Sequence, residues 1–444
     1  QLALADELVD VELRRLHDGV MAEVEELFRG VHRTYRVRLR PTMSYCDLVE
    51  TLDIFMDLDL AGLIKKKLEL VDLVEGEDFV FRLLDDYPER EFVVQYKETD
   101  LAFLSRQTEH WGVSFTFEHK DGRDVIVFTD NNDTFAEADE PLLFVERGDD
   151  HGVRELQSKT KMVPRMFVQR DYNYRNPGSD VTGTTTAGVG AGGIVEYGGH
   201  FKTGEEAERI ANMRREEIHA GRRVFVGDCS MPTLSAGLRV TVSEHPLGDL
   251  PLLVTGVTHR LRQPVFSDEA AHEPYTAEFT AIAQDVPFRP RRVTPKPRVQ
   301  GMVTGIIESS GSDGYADVDD DGRYRVRFMF DTSDAGEAKA SRPVRMMQPH
   351  AGAGYGMHFP LRSGIEVLIT FIDGDPDRPI IAGTVPNPQT ASPVTSSNRA
   401  KNVIRTGGGN EIDIDDTEGS TRIKMTVPHS NTIFQLGADN YAEQ

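Results

Sequence analysis

Residues 402–437 constrain the fold more than any other part of this chain. EIDIDD, RIKMTV and NTIFQL alternate apolar and polar side chains with the period of two that a half-buried strand requires, and short polar turns separate them. Nothing in this segment is long enough to fold back and cover either face. A lone chain would leave an apolar stripe and open strand edges in water, an arrangement prone to edge-to-edge aggregation. Further copies of the same segment are the physical remedy, so the sequence predicts self-association here. Ile412, Ile414, Ile423, Met425, Val427 and Ile433 are the side chains expected to face inward.

The rest of the chain reads as mostly β with a few short helices. At 444 residues it exceeds the usual single-domain size, so two to four domains are expected. Period-two alternation runs through 7–40: Val9, Val11 and Leu13, a stretch that helix would also fit, then Val20, Ala22 and Val24, then Tyr35, Val37 and Leu39, a clear strand stopping at Pro41. The spacing turns helical over 44–69, where Leu48, Leu52 and Phe55, then Leu60, Leu63 and Ile64, predict two short helices. FVVQY (92–96) predicts a strand. Thr99 or Asp100 caps a helix carrying Leu101, Leu104, Thr108 and Trp111, which Gly112 ends. A hairpin is expected over 113–130, further strands to 283, and a charged helix at 203–218. These make a first region, 1–285. Residues 286–299 hold Pro287, Pro290, Pro295 and Pro297 among five arginines and lysines, which excludes helix and central strand and predicts an extended linker. Strands without helices then fill 300–386, which suits a small OB-fold barrel. Residues 387–401 read as a second linker, and 402–444 carry the alternating terminal segment.

Charge and motif content exclude more than they suggest. A formal charge of −23 disfavours nucleic acid and anionic membrane surfaces as partners. Two distant cysteines, Cys46 and Cys229, make neither a disulfide framework nor a zinc cluster and fit a reducing compartment. The opening residues lack the basic start of a secretory signal, and no apolar run is long enough for a membrane helix. Gly188, Gly190 and Gly193 fit a dinucleotide loop by spacing only, since no apolar strand precedes them and no helix pattern follows. Asp317, Asp319 and Asp321 begin a calcium-loop pattern whose twelfth position should be Glu and is Phe328. Asp413, Asp415 and Asp416 lie on an alternating strand whose outer face needs charge. The histidines are dispersed, no G-x-S-x-G occurs, and neither Cys46 nor Cys229 has a base near it in sequence. No catalytic, cofactor or metal site is expected. An oligonucleotide- or glycan-binding barrel remains the alternative, though the Pro-rich linker 286–299 carries a dense basic cluster of its own beside that barrel.

Two passages carry a family resemblance. YRVRLRP (35–41) followed by QYKETDLAFLSRQTEHWGVSFTFEH (95–119) resembles the hub region of VgrG proteins, with Gln95, Tyr96, Glu98, Asp100, Phe103, Arg106, Glu109, Gly112 and His119 on matching positions and Lys97 and Trp111 as departures. RYRVRFMFD (323–331) and residues 342–388 resemble the OB-type domain of the same family, with Gly354, Gly356, Pro360, Gly364, Glu366, Val367, Phe371, Gly374, Pro376, Pro379, Gly383 and Val385 in register. TGGGNEIDIDDTEGS (406–420) resembles the start of its β-needle. The resemblance implies hub β-barrel domains, an OB-fold barrel and the start of an intertwined trimeric β-prism. It implies a homotrimer that caps an Hcp-like inner tube on a baseplate, carries a PAAR-type tip and effectors, and meets the target membrane only while puncturing it. Such a protein would assemble in the bacterial cytoplasm and be ejected without a signal peptide. Against the family, the first hub barrel is expected to be incomplete and the needle short at Gln444. Type VI secretion and phage-derived or extracellular systems share this plan.

Overall fold

The computed structural model describes residues 19–437 apart from 30–31, 121, 146–151, 262–274, 334 and 337. The stretch around Val9, Val11 and Leu13, read as strand or helix, lies outside the described residues. Val20–Arg29 and His32–Arg40 pair antiparallel, in line with their alternation. Of the two short helices expected over 44–69, the second forms as α1 (Leu60–Glu69), capped by the Asp59 carboxylate on the Gly62 amide and burying Leu60, Leu63, Ile64 and Leu68. The first does not form at Leu48, Leu52 and Phe55. A single 3-10 turn occupies Thr42–Asp47 upstream, and Ile54–Phe55 is extended. The reason is tertiary, because this stretch leaves the first unit to pair as a strand elsewhere.

Helix α2 (Asp100–His110) forms as its caps dictate. The Thr99 hydroxyl accepts from the Ala102 amide at 3.2 Å. Gly112 takes φ +66°, where a side chain is strained, and a Cβ there would meet the Arg289 side chain at 2.9 Å. Ser114–Lys120 and Arg123–Thr129 make the expected hairpin, joined in parallel by Phe79–Arg82. Helix α3 (Gly204–Ala220), capped by Thr203, buries Ala207, Ile210, Ala211 and Met213. It packs on a three-stranded sheet of Val181–Thr186, Met166–Asp171 and Gly193–Tyr197. The contact is closest at Gly183, where a Cβ would meet the α3 backbone at 2.1 Å. A seven-stranded sheet running through Leu238–Ser243, Leu250–Leu261, Tyr275–Ala283, Arg223–Cys229 and Val153–Thr160 encloses a core that includes Phe225, Val240, Leu252, Val254 and Phe279.

The chain divides into two units. The first comprises 1–51, 58–90 and 97–296; the second comprises 52–57, 91–96 and 297–444. The barrel in the second unit orders Val326–Phe328, Val303–Ile307, Glu366–Phe371, Pro379–Thr384 and Arg345–Met346 in one sheet. Its core of Ile307, Val326, Phe328, Val367, Ile369, Phe371 and Ile381 also takes in Ile54, Phe92 and Val94. The short antiparallel pair Ile54–Phe55 and Val93–Val94 is thus barrel material drawn from early in the chain.

The Pro-rich stretch 287–296 is extended, as its composition requires, and it is clamped along the first unit. Glu109 accepts from the Val293 and Thr294 amides at 3.0 and 2.9 Å. Arg289 donates to Glu216 at 2.9 Å and to the Asp130 carbonyl at 2.7 Å, and the Arg292 amide donates to Glu217 at 2.8 Å. Two of its cationic side chains, Arg289 and Arg292, are engaged internally.

Candidate self-association surface

The terminal segment is a four-stranded antiparallel meander of Lys401–Arg405, Glu411–Asp415, Arg422–Val427 and Thr432–Gly437. Directly paired residues share a face of a sheet. The pairing therefore lines up two rows on one face, apolar but for Asn402: Ile404, Ile412, Met425 and Phe434, and Asn402, Ile414, Ile423 and Leu436. Val427, paired with Thr432, extends this face. The opposite face carries Lys401, Arg405, Glu411, Asp413, Asp415, Arg422 and Lys424.

Burial is inverted between the two faces. In the single chain Ile414, Ile423, Met425, Phe434 and Leu436 are 38% to 55% exposed, whereas Asp413 and Asp415 are 4% and 6% exposed. The carboxylates are covered because they are paired: Lys401 reaches Asp413 at 2.6 Å, Arg422 reaches Asp415 at 3.6 Å, and Arg405 pairs with Glu411. The Thr417 hydroxyl and amide donate to Asp415 and hold its carboxyl below the usual range, aided by Lys401 and Arg422. These acids are occupied as countercharges, and the apolar face is the one that the described residues of the single chain leave exposed. A continuous apolar face of this kind marks an interaction surface.

Five of the six side chains expected to face inward share the apolar face: Ile412, Ile414, Ile423, Met425 and Val427. Ile433 does not. It pairs with Thr426 on the charged face, and Phe434 and Leu436 lie on the apolar face in its place. The sequence held the signal, since Phe434 and Leu436 are themselves two apart, while Ile433 is followed at that spacing by Gln435.

The motif residues of the first passage divide between the units. Gln95 is buried and its amide donates to the Asp53 carbonyl at 2.9 Å, and the Tyr96 ring meets Phe330 edge-on at 5.4 Å, both within the second unit. In the first unit Glu98 accepts from Arg106 Nε at 2.8 Å and from its terminal nitrogen at 2.7 Å, both side chains being nearly buried. The Arg106 guanidinium lies 4.9 Å over the fully buried Phe103 ring. Asp100 accepts from Lys67 at 2.9 Å with neither side chain exposed. Gly364 and Gly374 sit in turns at φ +80° and +70°, and Gly374 passes against the Val299 backbone. Gly383 lies in the strand Pro379–Thr384 opposite Leu368, with open space where a Cβ would stand.

The remaining sequence candidates for chemistry are turned on their neighbours. Asp319 accepts from the Asp321 and Arg323 amides and from Arg323 Nε at 2.7 Å, and Asp317 accepts from Ser309 and Ser310. Gly190 packs against the Val163 carbonyl and a strand follows the loop. Among the described residues no group of three or more His, Cys, Asp or Glu is placed to hold a metal ion. Burial pushes the Cys46 thiol up to about 12, with the Asp100 charge adding to it, and burial raises Cys229 as well. A thiolate is the reactive form. Iodoacetamide at pH 8 should therefore label neither cysteine in the native protein and both in denaturant, as read by mass spectrometry; labelling of native Cys46 would contradict this packing.

The fold depresses the proton affinity of His110. Burial lowers its pKa well below the usual 6.5, and Arg90, Arg214, Arg292 and Lys296 lower it further. The unfolded chain takes up this proton near pH 6.5 and the folded chain does not. The stabilisation is therefore complete above pH 6.5 and is lost as pH falls below it, at about 1.4 kcal/mol per pH unit from this group. The urea midpoint should fall between pH 6.5 and 5 in the native sequence and less steeply in His110→Gln. Equal slopes would remove His110 from the account.

Residues 2–265 match the phage tail baseplate hub (GPD) family, and residues 315–385 match the type VI secretion system/phage-baseplate injector OB domain. The type VI secretion system spike protein VgrG5 of Pseudomonas aeruginosa is 29% identical over 422 residues, covering 88% of this chain and 53% of that protein. VgrG4b of the same organism is 30% identical over 426 residues, covering 88% and 52%. The chain thus spans about half the length of the curated relatives it matches. Among solved structures, the E. coli c3393 protein, a component of the type VI secretion system with structural similarity to the T4 bacteriophage tail proteins gp27 and gp5, aligns with a TM-score of 0.58 at 25% identity over 83% of each chain.

Proposed function

We propose, since this chain belongs to the VgrG family of phage-tail-type hub and spike proteins, that it is the structural hub and membrane-puncturing spike of a contractile injection machine. The observation that carries this reading is the terminal sheet, whose apolar face is uncovered in one chain and directly follows an injector-type OB barrel. Three copies would turn these faces toward a common axis and make a closed prism. Closure removes the strand edges that an open sheet leaves to aggregation, and a prism paired between chains resists force. The work is mechanical, and none of the chain's own carboxylates or thiols is assigned a catalytic step.

In this reading the hub part caps a ring-shaped, Hcp-like inner tube on a baseplate, and the prism carries a PAAR-type tip and effectors. Assembly takes place in the bacterial cytoplasm, which the two buried, unbridged thiols suit. Expulsion by sheath contraction then requires no signal peptide. A phage tail or extracellular injection system is the second reading, because the matched OB domain is shared by phage baseplates and type VI secretion.

The test is the mass in solution by light scattering, on the full chain and on one ending near residue 390. The full chain should give three times 49.6 kDa, and the shortened chain should lose or weaken the association. A full chain that stays monomeric at micromolar concentration would sink the spike reading.

A further inference from the structure

The chain passes between its two units five times: after Thr51, Asp57, Arg90, Tyr96 and Lys296. Only the last crossing is the one that a linear order of domains requires. We infer that the segments 52–57 and 91–96 form a docking insert, and that the barrel is a receptor for these two hub strands, able to hold the hub part of the chain without the covalent link at Lys296–Pro297. The docking is independent of the spike reading.

Three independent kinds of contact seat the insert within the second unit. Ile54, Phe92 and Val94 are buried in the same core as Val326, Phe328, Val367 and Phe371, with the Phe92 and Phe328 rings 6.0 Å apart. The Tyr96 ring adds its edge-on contact with Phe330. The Val94 amide donates to the buried Asp377 carboxylate at 2.7 Å, and Asp377 is itself fixed by its amide donating to Asp375. Around the rim, Thr332 donates from its amide to the Leu52 carbonyl at 3.0 Å and from its hydroxyl to Asp53 at 3.0 Å, and Arg342 pairs with Asp57. The two segments also pair with each other, Ile54 with Val94 and Phe55 with Val93. Apolar burial, a charge-assisted hydrogen bond in the interior and rim contacts are together what a specific, lasting interface uses.

This gives Asp377 a role that its sequence surroundings do not announce. In the stretch DGDPDRP it reads as a turn acid. In the fold its side chain receives a backbone donor from a strand 283 residues away. Val94 cannot be replaced by proline without removing that donor.

A recognition sequence for a site-specific protease, inserted between Lys296 and Pro297 of the full chain, provides the test. After complete cleavage the two fragments should co-elute as one species on native size exclusion and separate only in denaturant. Separation under native conditions would overturn the inference. The double variant Phe92→Ala with Asp377→Ala, shown by circular dichroism to be folded before cleavage, should lose co-elution once cut. Fragments of that variant that stay together would mean that other contacts hold the parts, and the docking role would be withdrawn. Should the variant fail to fold, hydrogen exchange in the uncut native chain decides. The amides of 93–95 should exchange at least a hundredfold more slowly than an open loop, alongside those of 367–371, and loop-like exchange at 93–95 would reject the insert.

Discussion

Ile412→Asp combined with Ile414→Asp should leave a folded monomer where the native chain associates. Both side chains lie on the apolar face of the terminal sheet, Ile412 in a row with Ile404, Met425 and Phe434, and Ile414 beside Ile423 and Leu436. In a single chain Ile414 is 39% exposed, so aspartate there replaces a side chain that already meets water. Surface substitutions of this kind usually change stability by about 0.5 kcal/mol or less. In an assembly that buries the face, every copy would bring two carboxylates into an apolar axis without countercharges, at several kcal/mol per copy by the cost of burying unpaired charge. The two states are thus affected very unequally. Light scattering should read 49.6 kDa for the double variant, with the circular dichroism of the native chain. Ile433→Asp is the internal comparison. It lies on the charged face opposite Thr426 and should leave association intact. A double variant that still forms trimers, or an Ile433→Asp variant that does not, would mean that the other face turns inward.

Asp100→Ala should be among the most destabilising single substitutions in the first unit. Asp100 and Lys67 are both fully buried, 2.9 Å apart, and the Thr51 hydroxyl accepts from Lys67 at 2.9 Å and donates to Asp100 at 3.3 Å. Removing the carboxylate strands an ammonium in the interior. Breaking a buried pair from one side costs about 3–5 kcal/mol, whereas replacing both partners with apolar groups of similar volume is often neutral. Lys67→Met with Asp100→Leu should therefore recover most of the loss. Urea unfolding of both variants followed by α-helical signal checks this. If the single variant loses less than about 1 kcal/mol, the pair is not the support that its burial indicates. The arrangement also explains why an acid opens α2: Asp100 serves the helix N-terminus and Lys67 of α1 at once.

What could be read from the sequence follows how local each cause is. The Thr99 cap, the Gly112 stop and the 113–130 hairpin depend on residues a few positions apart, and each forms where expected. The terminal strands were legible because alternation is itself the structure, yet the face of the last strand depended on the Pro428–Ser430 turn and left-handed Asn431, which set its parity. Leu48, Leu52 and Phe55 have helical spacing and no helix, because Ile54–Phe55 is recruited by Val93–Val94 and the barrel core. No window of sequence contains that cause. The Lys67–Asp100 pair was hidden for the same reason. Its partners are 33 residues apart and each looks like an ordinary surface charge.

The insert also fixes an order of events at the ribosome. Val94 is synthesised 283 residues ahead of the Asp377 that receives its amide. At about 5–20 residues per second, that interval lasts roughly 15 to 55 s. Throughout it Ile54, Phe55, Phe92, Val93 and Val94 have emerged with no barrel to enter. The early part of the chain therefore cannot finish folding when its own last residue appears, and two short apolar strands wait in the open for a much later segment. Long-range pairings of this kind form slowly and leave nascent chains exposed to aggregation. Ribosomes stalled before the barrel is complete should carry chains that bind holdase chaperones through 52–57 and 91–96, and release from those chaperones should coincide with the emergence of Asp377.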